Sequence, residues 1–279
     1  MKTQLLLQPT SRGLSSASLK LCLSAGAALL LSAAPPARAQ VLFTDDFEAG
    51  VSGSSWQVMV NNPNYQILYA NNAHAIGTLA ARQEQANPFP YYMRTIAGSH
   101  PSAGILTAGQ SEIFTAYMWD DMNDTDGSGG QLAAGVMLSS VSSATGAADD
   151  FYQININSSA PGAGGFGFYN WRTAAQTTFN SGVARTLGWH EFQIVVDPYT
   201  GANDVHFFID KALVGTGNRK PGSGQGDVMD EIRLGISIYS QGSSFWYDNV
   251  SLQVIPEPAS SLLLLLGGSM MFLYRRARA

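Results

Sequence analysis

Cysteine is almost absent from this sequence of 279 residues. Its one cysteine, Cys22, lies within the first 39 residues. The rest of the chain therefore has no thiol. This excludes disulfides, cysteine nucleophiles and thiolate metal sites from residues 40–279.

Sequence patterns of common catalytic sites are missing as well. No stretch has the E-x-D-x-x-E spacing that would place the two carboxylates of a retaining glycosidase in one cleft. There is no G-x-S-x-G turn, no H-E-x-x-H motif and no phosphate-binding loop, and the four histidines show no metal-ligand spacing. These absences favour a protein that is not an enzyme, with an unusual glycosidase as the alternative.

Basic residues are few in the middle of the chain. Eight of the 15 Lys and Arg residues lie between residues 40 and 258, whereas all 20 Asp and Glu residues fall in that range. This body therefore carries a net charge of −12, against −5 for the whole chain. Such a surface repels phosphate backbones, so nucleic acid is excluded as an expected partner.

The first 39 residues are predicted to be a signal peptide. Basic residues precede an apolar run that begins at Leu21, and Ala37 and Ala39 supply the small residues of an A-x-A cleavage pattern. Cleavage is expected after Ala39. An uncleaved N-terminal anchor is the alternative, which the short apolar run and its Pro35-Pro36 pair disfavour.

The last 25 residues, 255–279, combine a Pro-Glu-Pro motif, an uncharged run of about 16 residues and an arginine cluster. At about 1.5 Å per residue the run extends about 24 Å, close to the thickness of the bilayer core. Arginines after such a run stay cytoplasmic, so the body is expected on the other side of the membrane. The alternative is a buried C-terminal helix. The motif and cluster residues are Pro256, Glu257, Pro258, Arg275, Arg276 and Arg278.

These features, in this order and on a chain with a signal peptide, resemble the PEP-CTERM sorting signal of Gram-negative bacteria. The resemblance implies processing at or near the motif by an exosortase, after transient anchoring in the inner membrane. It further implies delivery to the cell surface, the outer membrane or an extracellular exopolysaccharide (biofilm) matrix. The tail does not indicate what the body binds.

Residues 40–254 are predicted to form one all-β domain, an antiparallel β-sandwich of the jelly-roll type. About a dozen short β-rich runs, such as EIFTAYMW from Glu112 and FYQININ from Phe151, alternate with turn residues. The acidic stretch DDMNDTDGSGG from Asp120 is predicted to be a hairpin loop. An EF-hand is disfavoured there, because Met122 and Ala133 would occupy its first and last ligand positions.

One hairpin is clear in the stretch WHEFQIVVDPYTGANDVHFFIDKALVG, which begins at Trp189. Apolar residues alternate in two strands, and turns are predicted at residues 197–201 and 210–211. This unit, with the opening LFTDDFE and the closing WYDNVSL, resembles the laminin-G and concanavalin A-like lectin and glucanase sandwiches. The resemblance implies neighbouring first and last strands. It also implies a structural calcium ion held by Asp46, Glu48 and Asp248; the alternative is that these are polar edge or turn residues.

Aromatic and amide side chains are the residue types that bind sugars. Trp119, Tyr169 and Trp171 lie on central runs and are candidate ligand-binding residues, with core packing as the alternative for each. The other large indoles, Trp56, Trp189 and Trp246, are predicted to be packed. The sequence thus predicts a non-catalytic, glycan-binding protein of the surface or matrix. A glycoside hydrolase and a structural matrix protein without a ligand are the alternatives.

Overall fold

The structure, a computed structural model, describes residues 39–49, 56–58, 68–71, 75–83, 92–95, 109–122, 133–141, 148–157, 167–174, 178–220, 229, 231–235 and 245–256. Contacts divide the chain into two units, Met1–Arg38 and Ala39–Ala279, and every described residue belongs to the second. The predicted signal peptide up to Arg38 and the predicted sorting segment from Glu257 onward lie outside the described residues. Within the described ranges, no helix is long and apolar enough to cross a membrane.

The described ranges contain fifteen strands and no α-helix. They are β1 (Gln40–Asp45), β2 (Gln57–Val58), β3 (Leu68–Asn71), β4 (Leu79–Gln83), β5 (Tyr92–Thr95), β6 (Gln110–Asp120), β7 (Ala133–Val141), β8 (Ala148–Asn157), β9 (Phe168–Thr173), β10 (Phe179–Ala184), β11 (Gly188–Val196), β12 (Val205–Ile209), β13 (Ala212–Gly217), β14 (Glu231–Leu234) and β15 (Phe245–Pro256).

These strands form two antiparallel sheets. Sheet I has eight strands in the order β13-β12-β11-β6-β15-β4-β3, with β1 also paired to β15. Sheet II has seven strands in the order β10-β9-β8-β7-β14-β5-β2. The predicted all-β class and antiparallel sandwich are confirmed. The finer assignment to the concanavalin A-like jelly rolls stays a prediction.

The core lies between the sheets and follows the alternation in the sequence. In β6 the side chains of Phe114, Ala116 and Met118 are fully buried, while the residues between them are half-exposed. Ile154 and Ile156 of β8 face them from sheet II and belong to the same cluster. Each large apolar side chain buried in this way stabilises the fold by about 1.5–3 kcal/mol relative to leaving it in water.

The predicted hairpin is present as β11, β12 and β13. The Asp204 carboxylate accepts bonds from the backbone nitrogens of Thr200 (2.8 Å) and Gly201 (3.2 Å), which closes the first turn. Asp210 and Lys211 form the second turn with φ angles of 49° and 69°. Positive φ at both central positions is the backbone of a type I′ turn, whose twist matches that of the paired strands.

The first and last strands pair directly, as the resemblance implied. Gln40 of β1 lies opposite Val254 of β15, and Asp45 lies opposite Val250. The last strand continues to Pro256, which pairs with Gln110 of β6. The folded sandwich thus includes two residues beyond its predicted end at 254.

Candidate binding surface

Three tryptophans form a row across the outer face of sheet I, the face that points away from sheet II. Trp119 of β6 lies opposite Trp189 of β11 on one side and Trp246 of β15 on the other. Their neighbours Met118 and Tyr247 point into the core, so strand alternation directs the three indoles outward. We call these three residues the tryptophan row.

The tryptophan row is partly open to solvent. Trp119 and Trp189 are half-exposed and meet edge to face, with ring centroids 5.8 Å apart and an interplanar angle of 71°. Trp246 is only 8% exposed. The guanidinium of Arg82 lies over its ring, 5.2 Å from the centroid. The indoles accessible to a ligand are therefore those of Trp119 and Trp189.

Polar side chains lie next to the tryptophan row on the same face. Tyr117 lies opposite Glu191 and donates its hydroxyl to Glu191 Oε2 at 2.6 Å. This hydrogen bond raises the pKa of Tyr117 to about 12, with burial and the Glu191 charge as further causes. One step further along the strands, Gln193 Nε2 donates to Thr115 Oγ1 at 3.3 Å. Hydroxyl, carboxylate and amide groups thus border the half-buried indoles of Trp119 and Trp189.

A buried polar network holds the strands beneath the row. Arg185 donates to both carboxylate oxygens of Asp120, at 2.7 and 2.6 Å, and both side chains are fully buried. Tyr169 of sheet II donates its hydroxyl to the same carboxylate at 3.0 Å. Asp120 follows Trp119 directly, so the network fixes the end of β6 against sheet II at the position of the exposed indole.

The sequence candidate Tyr169 lies in this network and not at the surface. Its side chain is fully buried, and its ring packs against His190 and Phe192 with centroid distances of 5.2 Å. Burial raises its pKa, and the nearby charge of Asp120 adds to the shift. Tyr169 is therefore a core residue, which was the alternative to ligand binding, and its ring is not accessible to a ligand.

Trp171, the third aromatic candidate, is also in the core. Its indole is stacked between Phe179, at 4.4 Å, and Phe207, at 5.0 Å, and it is 8% exposed. The structure therefore does not bring Trp119, Tyr169 and Trp171 together on one surface. Trp119 is the candidate that remains accessible.

The two other row members were predicted to be packed, and the structure corrects this for Trp189. The residue pattern of one strand does not show whether its tryptophan lies on the same face of the sheet as the tryptophans of neighbouring strands. The signal is the cross-strand register, which places Trp119, Trp189 and Trp246 opposite one another. Trp56, by contrast, is packed as predicted, against Phe47, with its indole nitrogen donating to Asp45 Oδ2 at 2.7 Å.

The predicted calcium ligands act as acceptors for backbone groups. Glu48 accepts bonds from the nitrogens of Thr78 and Leu79, which lower its pKa. Asp248 accepts a bond from Ile76 N at 3.0 Å. Burial raises its pKa despite this bond, and the charges of Glu48 and Asp46 add to the rise.

Among the residues that the structure describes, no group of three or more His, Cys, Asp or Glu side chains is arranged to hold a metal ion. Asp46 itself accepts a bond from Glu48 N at 3.1 Å. Glu48 and Asp248 tie residues 76–79 to the chain after β1 and to β15, which agrees with the alternative of polar edge or turn residues. A calcium ion held by Asp46, Glu48 and Asp248 stays a prediction, which melting the protein with and without a calcium chelator checks.

The described sorting residues are Ala39 and Pro256. Ala39 is exposed and directly precedes β1, and Pro256 is the last residue of β15. The other predicted processing residues, Ala37, Glu257, Pro258, Arg275, Arg276 and Arg278, lie outside the described residues.

The fold and surface define an antiparallel β-sandwich with a partly exposed aromatic row. Comparison of the sequence with protein-family models and with curated proteins gives no match. Among solved structures, the chain is similar to the receptor-binding domain of botulinum neurotoxin D (TM-score 0.46, 10% identity, 82% of this chain and 53% of that chain). It thus spans about half the length of that structure.

Two shorter structures are similar over almost their whole length. One is domain 4 of AbnA, a GH43 extracellular arabinanase from Geobacillus stearothermophilus, in complex with arabinotriose (TM-score 0.46, 13% identity, 80% of this chain and 96% of that chain). The other is the CBM2 module of the evolved Dit of Lactobacillus casei BL23 phage J-1 (TM-score 0.48, 13% identity, 80% and 98%). Similarities at these values carry no argument about function.

Proposed function

We propose that this protein is an exported, non-catalytic β-sandwich that binds a glycan on the outer face of sheet I. The observation that carries the proposal is the tryptophan row, in which Trp119 and Trp189 remain half-exposed. Indole faces stack on the apolar faces of sugar rings. An aromatic pair on the solvent side of a sheet has no core to fill, so a binding role accounts for its exposure.

Groups that recognise sugar hydroxyls lie within the same surface. The carboxylate of Glu191 and the amide of Gln193 are both half-exposed on β11, on the same face as Trp189. A few polar groups beside an apolar platform fix the orientation of a bound ligand. The negative charge of the body matches a neutral glycan better than an anionic one.

The geometry of β15 fits display from a membrane or a cell surface. The second residue of the strand, Trp246, belongs to the tryptophan row, and the strand ends at Pro256, in the proposed PEP-CTERM sorting segment. At about 3.3 Å per residue, these two residues are about 33 Å apart. Gln40, the proposed first residue after signal cleavage, pairs with Val254 near the same end. Exosortase processing would therefore act at one end of the sandwich, and the glycan would bind at the other.

Truncation of the exposed indoles tests this proposal. Trp119→Ala and Trp189→Ala should each weaken binding to extracellular polysaccharide by about tenfold or more, as for a buried aromatic contact at an interface. Tyr199→Ala is the matched control, because Tyr199 is a half-exposed aromatic in the turn at the other end of β11. Binding is measured by retention on insoluble polysaccharides and by titration with soluble oligosaccharides.

The outcomes separate the proposed function from its alternatives. Equal binding by wild type, Trp119→Ala and Trp189→Ala would remove the tryptophan row from the site. No binding to any polysaccharide would support a structural matrix protein without a ligand. Release of reducing ends from the polysaccharides by the purified protein would support a glycosidase and contradict the non-catalytic assignment.

A further inference from the structure

Two carboxylates flank Tyr117 in the row of residues next to the tryptophan row. Glu191 of β11 and Asp248 of β15 lie opposite Tyr117 on its two sides. Each of these three residues is two positions from a tryptophan of the row on its own strand. Strand alternation therefore places them on the outer face of sheet I, beside the indoles. We call Glu191, Tyr117 and Asp248 the acidic row.

Glu191 is the carboxylate of the acidic row that a ligand can reach. Its side chain is half-exposed, and Oε2 accepts the Tyr117 hydroxyl, whereas Oε1 has no hydrogen-bond partner among the described residues. Asp248 is only 1% exposed and accepts bonds from the backbone nitrogens of Ile76 and Asn249. Oε1 of Glu191 is thus the acceptor that the fold does not use.

Glu191 also has no basic partner. Within the described ranges it forms no ion pair, and this includes the exposed Lys211 in the neighbouring turn. Other carboxylates of the sandwich do pair with a basic side chain, and four such pairs are Asp120 with Arg185, Asp197 with His206, Asp210 with His190 and Glu231 with Arg233. The negative charge beside the tryptophan row is therefore not neutralised by a contact within the described residues.

Basic residues are scarce in the strands that form this face. The eight strands of sheet I contain one arginine, Arg82, and no lysine, against five acidic residues, which are Asp45, Glu112, Asp120, Glu191 and Asp248. Two strands, β15 and β6, lie between the strand of Arg82 and β11. At about 4.8 Å per strand the separation across the sheet is about 14 Å, at which exposed charges are largely screened at physiological salt.

A cation already lies against one indole of the tryptophan row. The guanidinium of Arg82 is 5.2 Å from the ring centroid of Trp246, and the negative face of an indole attracts a cation in this position. Trp189 offers the same kind of ring two residues from Glu191, about 6.6 Å along the strand. A sugar ring stacked on that indole would have a ring substituent within reach of the carboxylate.

We propose that the glycan bound by the tryptophan row is cationic, a polysaccharide whose sugar rings carry free amino groups. This inference rests on the proposed function and names the class of its ligand. The sugar rings stack on Trp119 and Trp189, and a protonated amino group donates to Oε1 of Glu191, which makes a charge-assisted hydrogen bond. The net charge of −12 on the body attracts such a polymer.

The test uses three soluble oligomers of equal length and linkage, β-linked chains of glucosamine, N-acetylglucosamine and glucose, which differ at C2 of each ring. Calorimetric titration at low and high salt measures their binding. Wild type should bind the glucosamine oligomer about tenfold more tightly than either neutral oligomer, as for one hydrogen bond to a charged group. High salt should weaken only that binding. Glu191→Gln keeps an acceptor for Tyr117 and removes the charge, so it should lose the preference.

Asp197→Asn is the matched control for charge. It removes one carboxylate directly after β11, six residues or about 20 Å from Glu191, and keeps an oxygen for the hydroxyl of Ser111. This variant should keep the preference for the glucosamine oligomer. An equal loss of preference in Glu191→Gln and Asp197→Asn would assign the effect to the overall charge of the body and overturn the contact with Glu191.

The remaining outcomes separate this inference from the proposed function. Equal affinity of wild type for the three oligomers, with weaker binding by Trp119→Ala, would overturn the cationic ligand and leave the glycan site in place. A preference that persists undiminished in both Trp119→Ala and Trp189→Ala would show that the amino sugar binds away from the tryptophan row. Retention on another polysaccharide without any binding of the glucosamine oligomer would overturn this inference alone, whereas no binding to any polysaccharide would contradict the proposed function as well.

Discussion

The indole of Trp171 occupies the space in which a side chain at Gly215 would stand. A Cβ at Gly215 would lie 2.3 Å from both Cε2 and Nε1 of Trp171. Gly215 belongs to β13 of sheet I and Trp171 to β9 of sheet II, so this contact closes the sandwich at the edge where Phe179 and Phe207 stack on the same indole. The relationship assigns Trp171 to packing and makes glycine necessary at 215.

Loss of this contact should destabilise the fold. Trp171→Ala is expected to lower the free energy of unfolding by about 3–5 kcal/mol, because it leaves a cavity between two aromatic rings. Gly215→Ala should lower it by about 1–3 kcal/mol through overpacking. Urea unfolding measures both, with Leu213→Ala, at an exposed position of the same hairpin, as the control. Unchanged stability of Trp171→Ala would contradict the packing role.

The buried pair between Arg185 and Asp120 gives a second stability prediction. Arg185→Ala should cost about 3–5 kcal/mol, because it leaves the Asp120 carboxylate buried without its counter-charge. The double variant Asp120→Leu with Arg185→Met removes both charges and should be less destabilised than Arg185→Ala alone. Chemical denaturation of the three proteins checks this order. A double variant at least as unstable as the single one would show that the pair itself contributes most of the stability.

At alkaline pH the stability of the fold should depend on the protonation of Tyr117. Its pKa is raised from 10.0 to about 12 in the folded protein, so it contributes stability below pH 10 that is lost as the pH rises toward 12. Tyr117→Phe should therefore melt lower than wild type at pH 8, and the difference should shrink between pH 10 and 12. Glu191→Ala is the matched variant, because it removes the acceptor and should return the phenol toward its ordinary pKa. A difference that does not vary with pH would contradict the role of the hydrogen bond.

At acidic pH the stability of the fold should depend on Glu48, and it should decrease as the pH falls. Backbone bonds from Leu79 and Thr78 lower its pKa below the ordinary value of 4.5, so its contribution is present above pH 4.5 and is lost as the pH falls through the folded value. Glu48→Gln keeps an acceptor oxygen and removes the charge. It should melt below wild type at pH 7, and the gap should shrink as the pH falls below 4.5, as followed by circular dichroism. A gap that does not change with pH would show that the charge is not involved.

Processing of the two ends gives a prediction of mass. The protein recovered from its native host should begin at Gln40 and end between Pro256 and Pro258. Intact mass with terminal sequencing of surface and medium fractions checks both ends. A product that retains Arg275 to Ala279 would show a permanent membrane anchor and contradict exosortase sorting.

Most of the strands could be read from the sequence, and the failures have physical reasons. The residues of β4, LAARQ over Leu79–Gln83, do not predict a strand, because they include two alanines and two polar side chains, and alanine has low β propensity. The residues of β10, FNSGVA over Phe179–Ala184, do not predict a strand either, because Asn, Ser and Gly in its centre are typical of turns; in the structure Gly182 has a φ of 74°. Both strands are held by pairing with neighbours, which no local pattern expresses.

The sequence by itself determined the all-β class, the turns at 197–201 and 210–211, and the acidic character of the body, because alternation, turn chemistry and charge are local properties of the chain. Only the tertiary structure decided which aromatic residues are accessible. Trp119 and Trp171 lie on similar β-rich runs, yet one faces solvent beside Trp189 and the other is enclosed between Phe179 and Phe207. The difference arises from register and from the face that each strand turns toward the opposite sheet, and these depend on pairings between residues far apart in the chain.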